Sequence, residues 1–241
     1  MADDENISIG EAAGLMDVSI DTLRRWDESG KFKAIRTAGG HRVYRKHDIE
    51  IFLSDLFKMA AEWVSTPEPS ELPNKLYCPT SSEFQARLQK MQTILGSDAS
   101  VANYFSLLVA VAGEIGNNSF DHNIGNWPDV QGVLFAFDTH KKQIILADRG
   151  LGVLRTLKRV RPELSTHGEA LRVAFTEVVS GRTPEARGNG LKFVRKVIQD
   201  YPLNLLFQTG NASLILKHSE SVLKIEDTLE PIRGCLALIT Y

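Results

Sequence analysis

The stretch Ile7–Leu53, ISIGEAAGLMDVSIDTLRRWDESGKFKAIRTAGGHRVYRKHDIEIFL, decides how the amino-terminal part of this chain folds. Ser8 is placed to cap a helix carrying Ile9, Ala12, Ala13 and Leu15. Ser19 is placed to cap a second, through Thr22, Leu23 and Trp26. A serine hydroxyl just ahead of an apolar-periodic run accepts an amide proton that the first helical turn leaves unpaired. Gly30 stops the second helix, because glycine enters the left-handed region without a Cβ clash. Residues 31–45 are basic, with Gly39-Gly40 as a turn. His47-Asp48 then opens a helix with Ile49, Phe52, Leu53 and Leu56 on one face.

Charge follows the same segmentation. Between Arg24 and Lys46 stand Arg24, Arg25, Lys31, Lys33, Arg36, Arg42, Arg45 and Lys46, opposed by Asp27 and Glu28. The whole chain has a net charge of −2, so any surface for phosphate must be local. Either a phosphate-contacting face or a solvated basic face on a small interaction module satisfies this pattern.

The residues Ile9-Gly10-Glu11-Ala12-Ala13, Val18-Ser19, Thr22-Leu23-Arg24-Arg25-Trp26, Gly39-Gly40-His41-Arg42 and Tyr44 resemble the MerR and excisionase type of winged helix-turn-helix. The resemblance covers about fifty residues. It implies double-stranded DNA as partner and a homodimer on paired half-sites. Arg24 and Arg25 would leave the second helix toward the major groove, where arginine pairs bidentately with guanine. Arg36, His41, Arg42 and Tyr44 would lie along the wing, against phosphates or the minor groove. Trp26 reads as a core residue rather than a base-stacking one.

Outward from this module, residues 64–82 hold Pro67, Pro69, Pro73 and Pro79 among serines and threonines, the composition of a stiff, extended linker. The expected division is therefore 1–63 for the DNA-binding module, 64–82 for the linker and 83–241 for a second domain. With 241 residues, 43% of them apolar, the chain can bury a core in that second domain. The two cysteines, Cys78 and Cys235, make neither a metal-spaced cluster nor a disulfide framework. The segment MADDENISIG has no signal-like apolar run, and no stretch has the length of a membrane span. A cytoplasmic protein without a membrane partner is expected.

In the second domain, Phe84–Leu95 and Val101–Asn123 read as helices, and Val133–Asp138 and Gln143–Ala147 as strands. A helix is expected around Glu169–Val178 and another over Gly190–Asp200. Leu203–Gln208 and Ala212–Lys217 flank Gly210-Asn211 as a hairpin, and Gly234–Thr240 is a final strand. Glu114, Asn118 and Asp121 fall on one helix face, while Leu108, Val111 and Ile115 occupy another.

Three segments of this domain resemble the boxes of the GHKL ATPases, which include gyrase, heat-shock chaperone ATPases, histidine kinases and MutL-type repair proteins. They are Glu114–His122, the run Asp148-Arg149-Gly150-Leu151-Gly152, and Gly188-Asn189-Gly190-Leu191, followed by Gly234–Leu238 as a terminal strand. The resemblance spans about residues 84–241 and implies ATP and Mg2+ as cofactors. Asn118 would be the single protein ligand of the magnesium, which prefers oxygen donors. Glu114 matches the general base of the hydrolysing members, and Asp121 shares its helix face. Asp148 would accept from the adenine amino group, where guanine offers only a carbonyl. Gly150 and Gly152 would let the backbone approach the nucleotide. Gly188 and Gly190 would present amides at a helix start, with Lys192 as a further phosphate contact. Residues 153–187, with Arg155, Lys158, Arg159, Arg161, Arg172, Arg182 and Arg187, would form a lid; for most of these a solvated basic loop is the simpler reading.

Two departures stand out: Gly116-Asn117 inside the first box, and no further glycine after Leu191. They bear on hydrolysis more than on binding. His122 follows the first box on the same helix, with no paired-helix segment that would mark a histidine kinase.

The fold expected is α+β: a small all-α winged helix-turn-helix module followed by a Bergerat-type α/β sandwich with a mixed β-sheet. The function expected is an ATP-binding, DNA-binding transcriptional regulator. The alternatives are a magnesium-dependent GHKL ATPase on DNA in a mobile-element or defence setting, a serine protein kinase resembling anti-sigma factors, and a binding-only adaptor.

Overall fold

A computed structural model describes residues 5–16, 18–30, 32–53, 56–177 and 190–241. The chain divides into two compact units, Met1–Met59 and Ala60–Tyr241. Among the described residues no helix is long and apolar enough to cross a membrane.

In the first unit β1 (Asn6–Ser8) leads into α1 (Ile9–Leu15) and α2 (Ile20–Ser29). Ser8 caps α1 in a reciprocal box with Glu11: its hydroxyl takes the Glu11 amide while the Glu11 carboxylate takes the Ser8 N–H at 2.8 Å. Ser19 caps α2 through the Thr22 amide. Gly30 closes α2 at φ +81°, in the left-handed region. After α2 come β2 (Ile35–Arg36), β3 (Arg42–Arg45) and α3 (Lys46–Leu53). The module is not all-α as expected. Its strands pair antiparallel in the order β1-β3-β2, with Ile7 opposite Tyr44 and Arg36 opposite Arg42. Three short strands lie below the length at which alternation becomes visible in a sequence. The core joins Ile7, Ala12, Ala13, Met16, Leu23, Tyr44 and Ile49, with Trp26, Phe32 and Phe52 packed on it.

The boundary between the units falls inside α4 (Leu56–Ser65). The second unit continues through β4 (Tyr77–Cys78), α5 (Ser81–Leu95), α6 (Phe105–Asn123), β5 (Val133–Asp138), β6 (Gln143–Asp148), α7 (Gly152–Leu157), α8 (His167–Thr176), α9 (Gly190–Asp200), β7 (Asn204–Lys217) and β8 (Lys224–Thr240). Its sheet runs β4-β5-β6-β8-β7 with every neighbouring pair antiparallel, not mixed as expected. One set of alternating residues, Val133, Phe135, Ile144, Leu146, Phe207, Ala237 and Ile239, packs with α5, α6, α8 and α9 into one core. The other set, including Leu134, Ile145, Ala147 and Leu236, is buried as well.

Two further expectations change. Residues 64–82 are not a free linker. They lie within the second unit: Trp63 and Val64 at their start are buried, and Tyr77–Cys78 pairs with β5. Gly210-Asn211 is not a hairpin turn. β7 runs straight through it as one strand, with a register shift at Thr209–Ala212 where Gly210 adopts φ +54°. A left-handed glycine serves a bulge as well as a turn, so the dipeptide alone does not separate them. The actual hairpin joins β7 to β8 across residues 218–223.

Gly116 also finds its reason in packing. A Cβ there would overlap the Phe84 ring of α5, and one at Gly113 would crowd Leu88. The two glycines let α5 lie close on α6, which outweighs the roughly 1 kcal/mol of helix propensity each gives up.

Candidate nucleic-acid interface and glycine-lined cleft

Of the residues expected to meet DNA, Arg24 and Arg25 are exposed on α2. Arg24 pairs with Asp21 at 2.8 Å one turn back, and Arg25 lies 3.4 Å from the Thr22 hydroxyl. Both contacts are local and exposed, so either arginine can exchange them for a ligand at little expense. The β2–β3 hairpin forms the wing. The Gly40 amide donates to the Thr37 carbonyl at 2.9 Å with Gly40 at φ +79°, and His41 stands exposed at the tip.

Arg36 and Arg42 are placed differently. Both reach the carboxylate of Asp27 on α2, each at 2.7 Å. Asp27 is only 5% exposed. Its other oxygen accepts the Ala34 amide at 3.0 Å, and its backbone carbonyl accepts Lys33 Nζ at 2.9 Å. The bond from Arg42, then that from Ala34, holds the Asp27 carboxyl below its ordinary range. Lys31 lies outside the described residues.

Tyr44 is a correction. It is 1% exposed, its ring stacks on Phe32 with centroids 5.3 Å apart, and its hydroxyl donates to the Leu23 carbonyl at 3.3 Å. It belongs to the core, opposite Ile7 across the β1–β3 pair and packed with Ile7, Leu23 and Ile49. Trp26 packs against Phe52, as a core residue should.

In the second unit, Glu114 and Asn118 are half-buried on α6, and Asp121 is exposed one turn on. Gly190 opens α9 beside them: a Cβ there would overlap the Glu114 carboxylate and lie within 3.7 Å of the Asn118 amide. The i, i+4 pair and the glycine helix start therefore meet in space. Lys192 is half-buried in the first turn of α9. Gly188, with Asn189, Arg182 and Arg187, lies outside the described residues. Of the expected lid, α7 and α8 are helical and share a small core of Leu157, Leu164, Ala170 and Val173.

Asp148 ends β6 buried. It accepts the Ser119 hydroxyl at 2.7 Å, the Gly150 amide at 2.8 Å and the Cys235 amide. Burial pushes its carboxyl up to about 6, against the lowering effect of those donors, Ser119 first. A carboxylate offers about four lone-pair sites, so one remains. Around it the backbone is crowded: a Cβ at Gly150 would overlap Asn123, and one at Gly234 would overlap Asp148 itself. Asn123 accepts the Leu151 amide at 2.8 Å. The Thr209 hydroxyl donates to the Gly234 carbonyl at 2.8 Å and takes the Val153 amide at 3.2 Å. Gly150, Leu151, Gly152, Thr209, Gly210 and Gly234, with Pro128, His167, Ile232 and Arg233, line a cleft of about 280 Å3.

Ser119, Asn123, Thr209 and Gly234 thus join the expected Asp148, Gly150 and Gly152. Ser119 and Asn123 were within reach of the sequence, being one and two turns from Glu114 and Ile115 on the same helix. Thr209 carried no signal.

Nor did Arg149, the largest fully buried side chain, at 0% exposure. Its guanidinium donates to the carbonyls of Trp63, Thr66 and Pro67, the latter two at 2.9 and 3.1 Å, and to Asp129 through both Nε and Nη2. All five N–H donors are met. Asp129 also pairs with Arg233 of the cleft at 2.8 Å.

Residues 8–44 match the family described as MerR family regulatory protein. The amino-terminal unit therefore carries a MerR-type helix-turn-helix, a domain that implies DNA as partner. The chain is also similar to a type II methyltransferase of Escherichia coli, M.Eco47II, at 32% identity over 74 residues, 30% of this chain and 17% of that protein. The chain thus spans about a sixth of that relative's length.

Proposed function

We propose that this protein is a DNA-binding regulator whose second unit binds magnesium-ATP in a Bergerat-type site, and that nucleotide occupancy biases its DNA affinity. The observation that carries the DNA part is the MerR-type module with Arg24 and Arg25 free to exchange their local partners. The nucleotide part is supported by the meeting of Glu114, Asn118 and Gly190, and by the buried Asp148 carboxylate bonded to Gly150, one of the glycines that line the cleft. These residues fit the group: Asn118 and Glu114 offer the hard oxygens magnesium prefers, and only a glycine at 190 lets the start of α9 come this close to the Glu114 carboxylate.

In this reading Asn118 holds the metal and Lys192 adds charge beside the phosphates, with Gly190 supplying an amide at the start of α9. The remaining Asp148 lone pair accepts an exocyclic amino group. Glu114 is the base for water if ATP is cleaved, which would make the protein a magnesium-dependent ATPase. Coupling has a chain route: Arg149, next to Asp148, fixes the carbonyls of Trp63, in the last turn of α4, and of Thr66 and Pro67 just after it. For nucleotide to act on DNA affinity it must bind one arrangement more tightly than another. A homodimer on paired half-sites is proposed with it.

Calorimetric titration of magnesium-ATP into the full chain tests the nucleotide part. Saturable binding that Asn118→Ala and Asp148→Asn both abolish, with folding intact, is expected. Absence of binding by the wild-type chain sinks it and leaves a DNA-binding adaptor.

A further inference from the structure

We infer that Asp27 is a positioning residue for DNA recognition, clamping the wing to the second helix through Arg36 and Arg42, and that Arg42 is a member of the clamp rather than a phosphate ligand. This rests on the DNA-binding reading of the module. Asp27 gathers four bonds from the segment that leads into and forms the wing. The backbone carbonyl of Asp27 takes Lys33, one carboxylate oxygen takes the Ala34 amide, and the other takes Arg36 and Arg42, which face each other across β2 and β3. Arg42 also reaches Glu28 at 3.3 Å, and Tyr44 bonds to Leu23 in the core below.

The two arginines are not equivalent. Arg42 is 21% exposed and sends Nε to Asp27 and Nη2 to Glu28, whereas Arg36 is 50% exposed and spends Nη2 on Asp27 with Nη1 3.5 Å from the Gly40 carbonyl. A guanidinium held by two carboxylates is neutralised before DNA arrives. Arg36 keeps an open side, so it can touch a phosphate while still tied. The acid inside this basic face is therefore what gives the cations their geometry.

Simple electrostatics makes the opposite forecast. Removing a negative charge from a DNA-binding surface raises affinity for any duplex. The clamp predicts that Asp27→Asn separates two affinities: about tenfold weaker binding to a duplex selected from a random pool by the wild-type chain, and equal or tighter binding to a scrambled duplex. Asp27→Glu, which keeps the charge, restores part of the loss. Arg42→Gln also weakens the selected duplex but leaves the salt dependence unchanged, whereas loss of a phosphate ligand lowers that slope by about one. Hydrogen exchange reports the clamp without DNA: in Asp27→Asn the amides of Thr37 and Arg42–Arg45 lose protection while those of α1 keep it. Selected-duplex affinity that holds or rises in Asp27→Asn, a salt slope that drops in Arg42→Gln, or unchanged wing exchange each overturns the inference. Failure of the wild-type chain to select any duplex overturns the DNA-binding reading instead.

Discussion

Asp27 and Arg149 are both buried charges that gather distant pieces of chain, yet they solve opposite problems. Asp27 is an acid among cations, and one of its arginines stays half in water. Arg149 is a cation whose donors go mostly to neutral carbonyls, with one carboxylate, Asp129, to balance it. The first hub orients side chains that face outward. The second fixes backbone at the end of α4, the carbonyls of Trp63, Thr66 and Pro67. A half-exposed hub can lose a partner to water and survive. A closed one cannot, because each donor it drops is left dry.

The largest effect expected is therefore at Arg149. Arg149→Ala leaves three carbonyls without their donor and Asp129 with Arg233 as its remaining cation, and removal of one side of a buried ion pair destabilises by about 3–5 kcal/mol. Arg149→Lys keeps the charge but not the five-donor fork, so it recovers only part. Urea unfolding of the full chain measures both. A loss at Arg149 no greater than at Asp27 breaks the contrast between the hubs.

Asp148 sharpens the comparison, as a buried acid held by a hydroxyl and two backbone amides rather than by a cation. Its carboxyl is raised from 3.8 to about 6, so the folded state holds the proton more tightly than the unfolded chain. That contribution to stability is full below about pH 4 and is lost as pH rises through 6, a change of about 3 kcal/mol. Asp148→Asn should flatten this dependence and leave the protein more stable than wild type at pH 8, while abolishing nucleotide binding. Thermal melts from pH 4 to 8 read the first effect and calorimetry the second. A variant less stable at pH 8 would show that the carboxylate is paired after all.

What the sequence disclosed follows the range of the interactions. Ser8, Ser19 and Gly30 act within one helical turn, and their roles were legible. So was the common face of Glu114 and Asn118. Asp27 was read as a mere opponent of the basic cluster because its partner Arg42 lies fifteen residues away. Arg149 was passed over between Asp148 and Gly150 because its carbonyl partners lie more than eighty residues back. Gly116 looked like a defect, since only the approach of Phe84 gives it a purpose. Proline spacing at 67–79 suggested an extended linker, and nothing local could reveal the guanidinium that ties its start down.

Tyr44 gives the smallest effect and the most direct check on the wing. By resemblance it would touch DNA; by geometry it is a floor under the hairpin, stacked on Phe32 and bonded to Leu23. Tyr44→Phe keeps the stack and removes a neutral hydrogen bond of 3.3 Å, a loss of about 1 kcal/mol. The Leu23 carbonyl keeps its helical position, so the structure above should not shift. DNA affinity measured beside Asp27→Asn should then be unchanged in Tyr44→Phe and reduced in Asp27→Asn, although Tyr44 is the more buried of the two. The reverse order would mean that the wing is supported from below, and that the arginines tied to Asp27 are free to meet phosphate.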